Sequence, residues 1–105
     1  MNESNVSNRE IEGDLGVMRW GRKWQEFMDE CYPEDAAALR NNGKWSEIAA
    51  NVEREASDYA WSLRTQYAKK HKRPTTFIEI VKWENTRSFI VDHAVMEDIV
   101  LQYRA

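Results

Sequence analysis

Outside its charged surface, this 105-residue chain offers few side chains able to do acid–base, nucleophilic or metal chemistry: two histidines, His71 and His93, and one cysteine, Cys31. A di-iron helical bundle needs Glu-x-x-His on two helices, and neither histidine has a glutamate three positions before it. Zinc sites need paired cysteines or closely spaced histidines, and the chain has neither. His93 and Glu97 stand one helical turn apart, a spacing that suits a solvated ion pair better than a metal. Nucleophilic catalysis needs a positioned base beside Ser, Thr or Cys, and His71 lies inside the charged run Lys69 to Arg73. There is no glycine-rich phosphate loop: Gly13 and Gly16 flank a polar entry segment, and Gly21 falls within a helical pattern. The 18 acidic residues show no spacing that separates a catalytic pair from ordinary helix-surface charge. The sequence therefore assigns no catalytic residue, no metal and no cofactor, and the expectation is a protein that is not an enzyme.

Two features point to binding. The first is tryptophan, with five in the chain. Trp20, Trp24 and Trp45 lie on apolar stripes and read as core. Trp61 lies about 160° around its helix from the stripe of Ile48, Val52 and Leu63. Two readings stay open: a second core contact for a sandwiched helix, or an exposed aromatic anchor for a protein partner. In the second reading Arg54 and the acids Glu26, Asp29 and Glu30 complete the candidate partner-binding set. The other feature is a pair of basic clusters, Arg19, Arg22 and Lys23, and Lys69, Lys70, Lys72 and Arg73 with His71 between them. They are the candidate nucleic-acid contacts, although they also read as a solvated helix face and a helix C-terminal cap. Acids such as Glu34 and Asp35 stand nearby and oppose a polyanion.

Helices must position these residues. Four glycines and two prolines supply little turn chemistry, so few reversals and long elements are expected. Residues 1–14 are polar and aperiodic and read as a flexible arm; residues 15–105 read as one helical domain. Val17, Trp20, Trp24, Phe27, Met28 and Cys31 place a first helix from about Val17 to Cys31, with Cys31 as a small buried hydrophobe. Pro33 ends it and opens a short helix through Leu39, with Glu34 and Asp35 at the positive end. Asn41-Asn42-Gly43 supplies the left-handed residues of a C-cap. A third helix runs from about Trp45 to Lys70 and is closed by the basic run and Pro74. Thr76 and Glu79 match a capping box for a fourth helix from about Phe77 to Tyr103. Its apolar residues form two adjacent rows, Phe77, Val81, Val91, Val95 and Ile99 beside Ile80, Trp83, Ile90, Ala94 and Leu101. So wide an arc predicts a central helix, or one that completes its burial in an oligomer. The fold class expected is all-α, a small bundle of three to four helices with two long ones.

Composition bounds the setting. A hydrophobic fraction of 42% with 31% charged residues suits one globular domain with a solvated surface. With 15 basic and 18 acidic residues, net charge −3, a uniformly basic nucleic-acid binder is excluded. No apolar run approaches the roughly 18 to 20 residues that span a bilayer, and the polar start lacks the apolar centre of a signal peptide. A single cysteine fits a reducing compartment, and the expected location is the cytoplasm.

Several segments, in order, resemble the TnpV proteins encoded by conjugative transposons. Trp20-Gly21-Arg22 with Phe27-Met28, Glu30 and Pro33 resembles their aromatic-Gly-Arg helix. Asn42-Gly43-Lys44-Trp45 resembles their small-Gly-Lys-Leu turn, Val52-Glu53 and Ala56 fall at the matching offset, and Glu97 to Leu101 is similar to their C-terminal Glu-Glu-Ile-Val run. Trp24, Cys31 and Tyr32 depart from the pattern, standing where relatives are basic. The resemblance implies a mobile element in a bacterial host and no catalytic residues. The leading functional expectation is an inhibitor that binds a host nucleic-acid-handling defence protein, as anti-CRISPR proteins bind CRISPR effectors. The alternative is a DNA-binding accessory protein for excision or recombination. A third reading is a homodimer joined through the C-terminal helix.

Overall fold

A computed structural model of the chain describes residues 18–105. The expected flexible arm and the start of the first helix at Val17 lie outside the described residues. Within them are four α-helices, α1 (Arg19–Cys31), α2 (Pro33–Asn41), α3 (Trp45–Lys70) and α4 (Phe77–Val95), then a π-helical turn over Met96–Val100. No strand occurs among the described residues, and the all-α class with two long helices holds. None of these helices is long and apolar enough to cross a membrane.

The packing starts from α1 on α3. Trp20, Gly21, Trp24 and Met28 recur at the spacing of one helix face and are buried, as are Ala49, Val52 and Ala56 of α3. The two backbones meet at Gly21: a Cβ built there would stand 2.5 Å from the Ala49 carbonyl oxygen. The approach brings the start of α1 onto Glu53, whose Oε1 accepts hydrogen bonds from the Trp20 and Gly21 amides at 2.7 and 3.0 Å. These amides belong to the first turn of α1, where the helix itself supplies no acceptor. A side chain from α3 thus does the work of an N-cap. Beside it, Trp24 is fully buried, tilts against Trp45 with ring centroids 5.2 Å apart, and donates its indole N–H to the Gln102 carbonyl at 3.1 Å.

Local signals end the short elements. Tyr32 and Pro33 break α1 from α2, and α2 closes on Gly43, the positive-φ glycine at +79°. The Gly43 amide donates to Arg40 and the Lys44 amide to Leu39, the paired bonds of a Schellman close. Only Gly43 takes the left-handed conformation; Asn42 has φ −97° and its side-chain oxygen accepts the Lys44 amide. Thr76 has the extended backbone of an N-cap but makes no side-chain capping bond, so the capping box expected with Glu79 does not form.

Two further expectations are corrected. Cys31 is exposed: the face of α1 that meets α3 advances in steps of four, Trp20, Trp24, Met28, and Cys31 falls to one side of it where the chain already turns toward α2. The fourth helix does not run on to Tyr103. After Val95 the turn widens, the Leu101 amide donates to Met96 at 2.8 Å, and the helix ends. An α-helix continuing in steps of four from Val91 and Val95 would bring Ile99 inward. The wider turn brings Val100 there instead, and Val91, Val95 and Val100 are all buried.

Burial divides the molecule in two. All buried core residues lie in α1, α2, α3 up to Ala56, and the chain from Val91 onward. From Ser57 to Ile90 no residue is buried. That stretch is an antiparallel helical hairpin leading away from the core, so α4 is central only over its last turns. Its own clasp is Trp83, whose indole N–H donates to the His71 carbonyl at 2.9 Å and whose ring meets Tyr67 edge-on at 5.4 Å.

Replacing Gly21 with alanine isolates the close approach. Alanine favours the helix by about 1 kcal/mol, but its methyl meets backbone that cannot rotate away. The expected result is a net loss of about 2 kcal/mol, read as a lower urea midpoint at unchanged m; a rise in midpoint would contradict the packing described.

Candidate functional site

Trp61 stands on the side of α3 turned away from both α1 and α4 and is 70% exposed. Among the described residues the second core contact considered for it does not form. Arg54, two turns earlier and about 10 Å along the axis, is exposed on the same side. Thr65 borders the indole and returns its hydroxyl to the Trp61 carbonyl at 2.9 Å. The result is an exposed aromatic ring flanked on its helix by the exposed charges Asp58 and Arg64, one turn to either side, with Arg54 and the small residues Ala50 and Ala68 farther along the same side.

The three acids grouped with Trp61 in the sequence do not join it. Glu26 and Glu30 follow Trp24 and Met28 by two residues each, which turns them about 200° from the face that α1 presents to α3. Both are exposed, and with Lys23, Phe27, Met96 and Leu101 they border an open depression of about 330 Å³. Asp29 is engaged: Arg40 grips it through two hydrogen bonds of 2.9 Å while the same guanidinium covers the Trp45 ring at 4.2 Å. Trp61 with Arg54, and Glu26 with Glu30, are therefore two patches on opposite sides of the α1–α3 contact.

The basic clusters are also separate. Arg19 is partly engaged, bonded to Asp92 of α4 at 3.1 Å and lying over the Trp20 ring. Arg22 and Lys23 are exposed with Glu26 on a shallow surface. Lys69, Lys70 and Lys72 are exposed at the tip of the hairpin, whereas Arg73 pairs with Glu84 at 2.9 Å. The tip lies about 30 Å along α3 from the level of Gly21 and Ala49. Charge is nonetheless sorted along the molecule. Residues 57–90 hold seven basic and three acidic side chains; the other described residues hold seven basic and eleven acidic.

What sequence reasoning missed is the outer face of α4. Phe77, Ile78, Val81 and Phe89 are exposed there, Phe77 to 79% and Phe89 to 74%. Periodicity placed Phe77 and Val81 in an apolar row, either central or completed in an oligomer, and passed over Ile78 and Phe89, because an apolar stripe looks the same whether or not something covers it. The adjoining groove between α3 and α4, lined by Leu63, Tyr67, Ile90, Val91 and Ala94, holds about 210 Å³.

No three His, Cys, Asp or Glu side chains gather into a metal-binding group among the described residues. His93 pairs with Glu97 at 3.2 Å on an exposed surface. The perturbed groups serve as ties between elements. The Arg104 guanidinium, hydrogen-bonded to Glu55, holds that carboxyl below its ordinary range. Arg73 does the same to Glu84. Tyr59, where the hairpin leaves the core, donates its hydroxyl to Asp98 of the π turn at 2.6 Å, and this bond raises the phenol's pKa.

Taken as a whole, the fold and its surfaces define a small all-α protein with a packed base and a projecting helical hairpin. Compared with protein-family descriptions, curated proteins and solved structures, the chain matches none of them.

The Tyr59–Asp98 bond has a readable pH signature. Because the folded phenol is raised, its stabilisation is fully present below the ordinary phenol pKa and is lost as pH rises through the folded value. Phenolate absorbance, assigned by difference against Tyr59→Phe, is expected to show Tyr59 titrating above its ordinary range and returning toward it in Asp98→Asn. No difference between the two proteins would exclude the bond in solution.

Proposed function

We propose that this chain is a non-enzymatic interaction protein of a bacterial mobile element, and that it inhibits a host nucleic-acid-handling defence protein in the anti-CRISPR manner. The observation that carries the reading is Trp61, a large aromatic ring left 70% exposed on a stiff helix with Arg54 on the same side. Tryptophan and arginine are the side chains most enriched among those that dominate interface energy, because each brings large contact area to a pocket that excludes water. A ring already held by its helix also loses little freedom on binding. Inhibition requires only a covering surface of about 800 Å² per partner. Glu26 and Glu30 form a separate anionic patch suited to the positively charged channel of a nucleic-acid effector. The resemblance to TnpV proteins supplies the mobile-element and bacterial setting of this proposal, and the single cysteine its cytoplasmic one.

The runner-up, a DNA-binding accessory protein for excision or recombination, is favoured by one observation, the basic excess of residues 57–90 with Lys69, Lys70 and Lys72 exposed at the tip. Pairing between copies, the other partner expected from the sequence, would use a different surface, the outer face of α4.

Affinity capture of the tagged chain from bacterial extract containing CRISPR effectors, with and without nuclease, separates the two functions. A specific effector retained after nuclease supports the inhibitor, and Trp61→Ala is then expected to weaken that complex about 30-fold or more. Recovery of nucleic acid alone, with affinity falling steeply with salt, would replace it with the DNA-binding role. An effector complex indifferent to Trp61→Ala would remove Trp61 from the interface.

A further inference from the structure

The outer face of α4 carries a second inference, independent of Trp61, which lies on the far side of α3. Helix α4 turns Ile80, Trp83, Arg87 and Val91 toward α3. About half a turn away Phe77, Ile78, Val81, Asn85, Ser88 and Phe89 fall within one arc of about 120°. None of the six is charged, and the four apolar ones are exposed. With each aromatic worth on the order of 150–250 Å², the stripe presents about 500 Å² of apolar surface, within the range of about 300–600 Å² of the largest patch on a soluble monomer, a patch that is often functional. Its size is most of what one side of a stable dimer covers, about 800 Å².

We infer that a second copy of this chain covers the stripe, with the two α4 helices antiparallel about a two-fold axis near residue 83. Three properties select this occupant and this direction. The stripe is uncharged along its length, so it is complementary to itself and needs no opposite charge from a partner. A two-fold contact near residue 83 sets Phe77 and Ile78 of one copy beside Phe89 and Ser88 of the other, and Val81 beside Asn85, which places large side chains at both ends and small ones at the axis. The charge flanking the stripe is sorted in net along it: at the N-terminal end of α4 Lys69, Lys70, Lys72 and Arg73 outnumber Glu79 and Glu84, and at its C-terminal end Asp92, Glu97 and Asp98 outnumber Arg19, with Arg73 paired to Glu84 and Arg19 to Asp92. Antiparallel pairing lays each basic tip along the other copy's acidic end, twice per dimer. Parallel pairing would set like charges together at both ends. The hairpin, which buries no residue by itself, thereby becomes half of a four-helix arrangement.

Sedimentation equilibrium of the full chain tests the inference. The expected mass is twice the 12.4 kDa protomer at about 100 μM, with a Kd in the micromolar range that weakens as salt rises. Val81→Glu combined with Phe89→Glu, both at exposed positions, should give a monomer with unchanged helical circular dichroism, whereas Trp61→Glu should leave the dimer intact. In a Cys31→Ser chain, Ile78→Cys mixed with Ser88→Cys should form a disulfide-linked pair under mild oxidation, and Ile78→Cys alone should form almost none. A monomer at about 100 μM, or a dimer that survives the double glutamate variant, would overturn the inference; self-linking of Ile78→Cys would overturn its antiparallel register.

Discussion

The closeness of α1 to α3 at Gly21 is the constraint on which the rest of this structure depends. Only a residue without Cβ lets the α1 backbone reach the Ala49 carbonyl, and only at that separation does the Glu53 carboxylate reach the Trp20 and Gly21 amides. A carboxylate there also faces the positive end of the α1 dipole. Trp24 is placed by the same contact, fully buried against Trp45, and its indole N–H then selects the Gln102 carbonyl. One short approach between two helices thus determines where the C-terminal segment must lie.

The base so formed consumes most of the burial available to the chain. Among the described residues the two long helices beyond Ser57 have only each other, and a two-helix contact cannot enclose a side chain on all sides. Their contact is held by groups that tolerate partial exposure: the Trp83 indole on the His71 carbonyl, Tyr67 against that ring, Arg87 over its face at 4.7 Å and the Arg73–Glu84 pair. Exposed ion pairs of this kind contribute at most about 1 kcal/mol each, so the hairpin depends on the base, through Tyr59 and Asp98, for its position. Trp61 and the outer face of α4 lie on this hairpin because it is where apolar area remains uncovered, whereas the Glu26 and Glu30 patch lies on α1.

Gly21 and Glu53, to which the sequence assigned no chemical role, prove to be architectural. Trp20 and Gly21 of α1 meet Ala49 and Glu53 of α3 across the contact between the two helices. A glycine inside a helical pattern was the available signal, since it costs the helix about 1 kcal/mol relative to alanine unless something approaches it closely. Which element approaches is a long-range matter, and Ala49 lies 28 residues away.

The sequence by itself determined the all-α class, the order of the helices, the breaks at Pro33, Gly43 and Pro74, and the core role of Trp20 and Trp24. Each follows from local physics: a 3.6-residue period, a proline without an amide hydrogen, a glycine free to take positive φ. Only the tertiary structure decided which apolar stripes are covered. It left Trp61, Phe77 and Phe89 in solvent, turned Cys31 outward, widened the turn after Val95 so that Val100 enters the core, and put Glu26 and Glu30 on the opposite side from Trp61. Periodicity states which residues share a face. Whether that face meets another helix depends on where the chain's few close contacts place the neighbour, and that is decided between residues far apart in sequence.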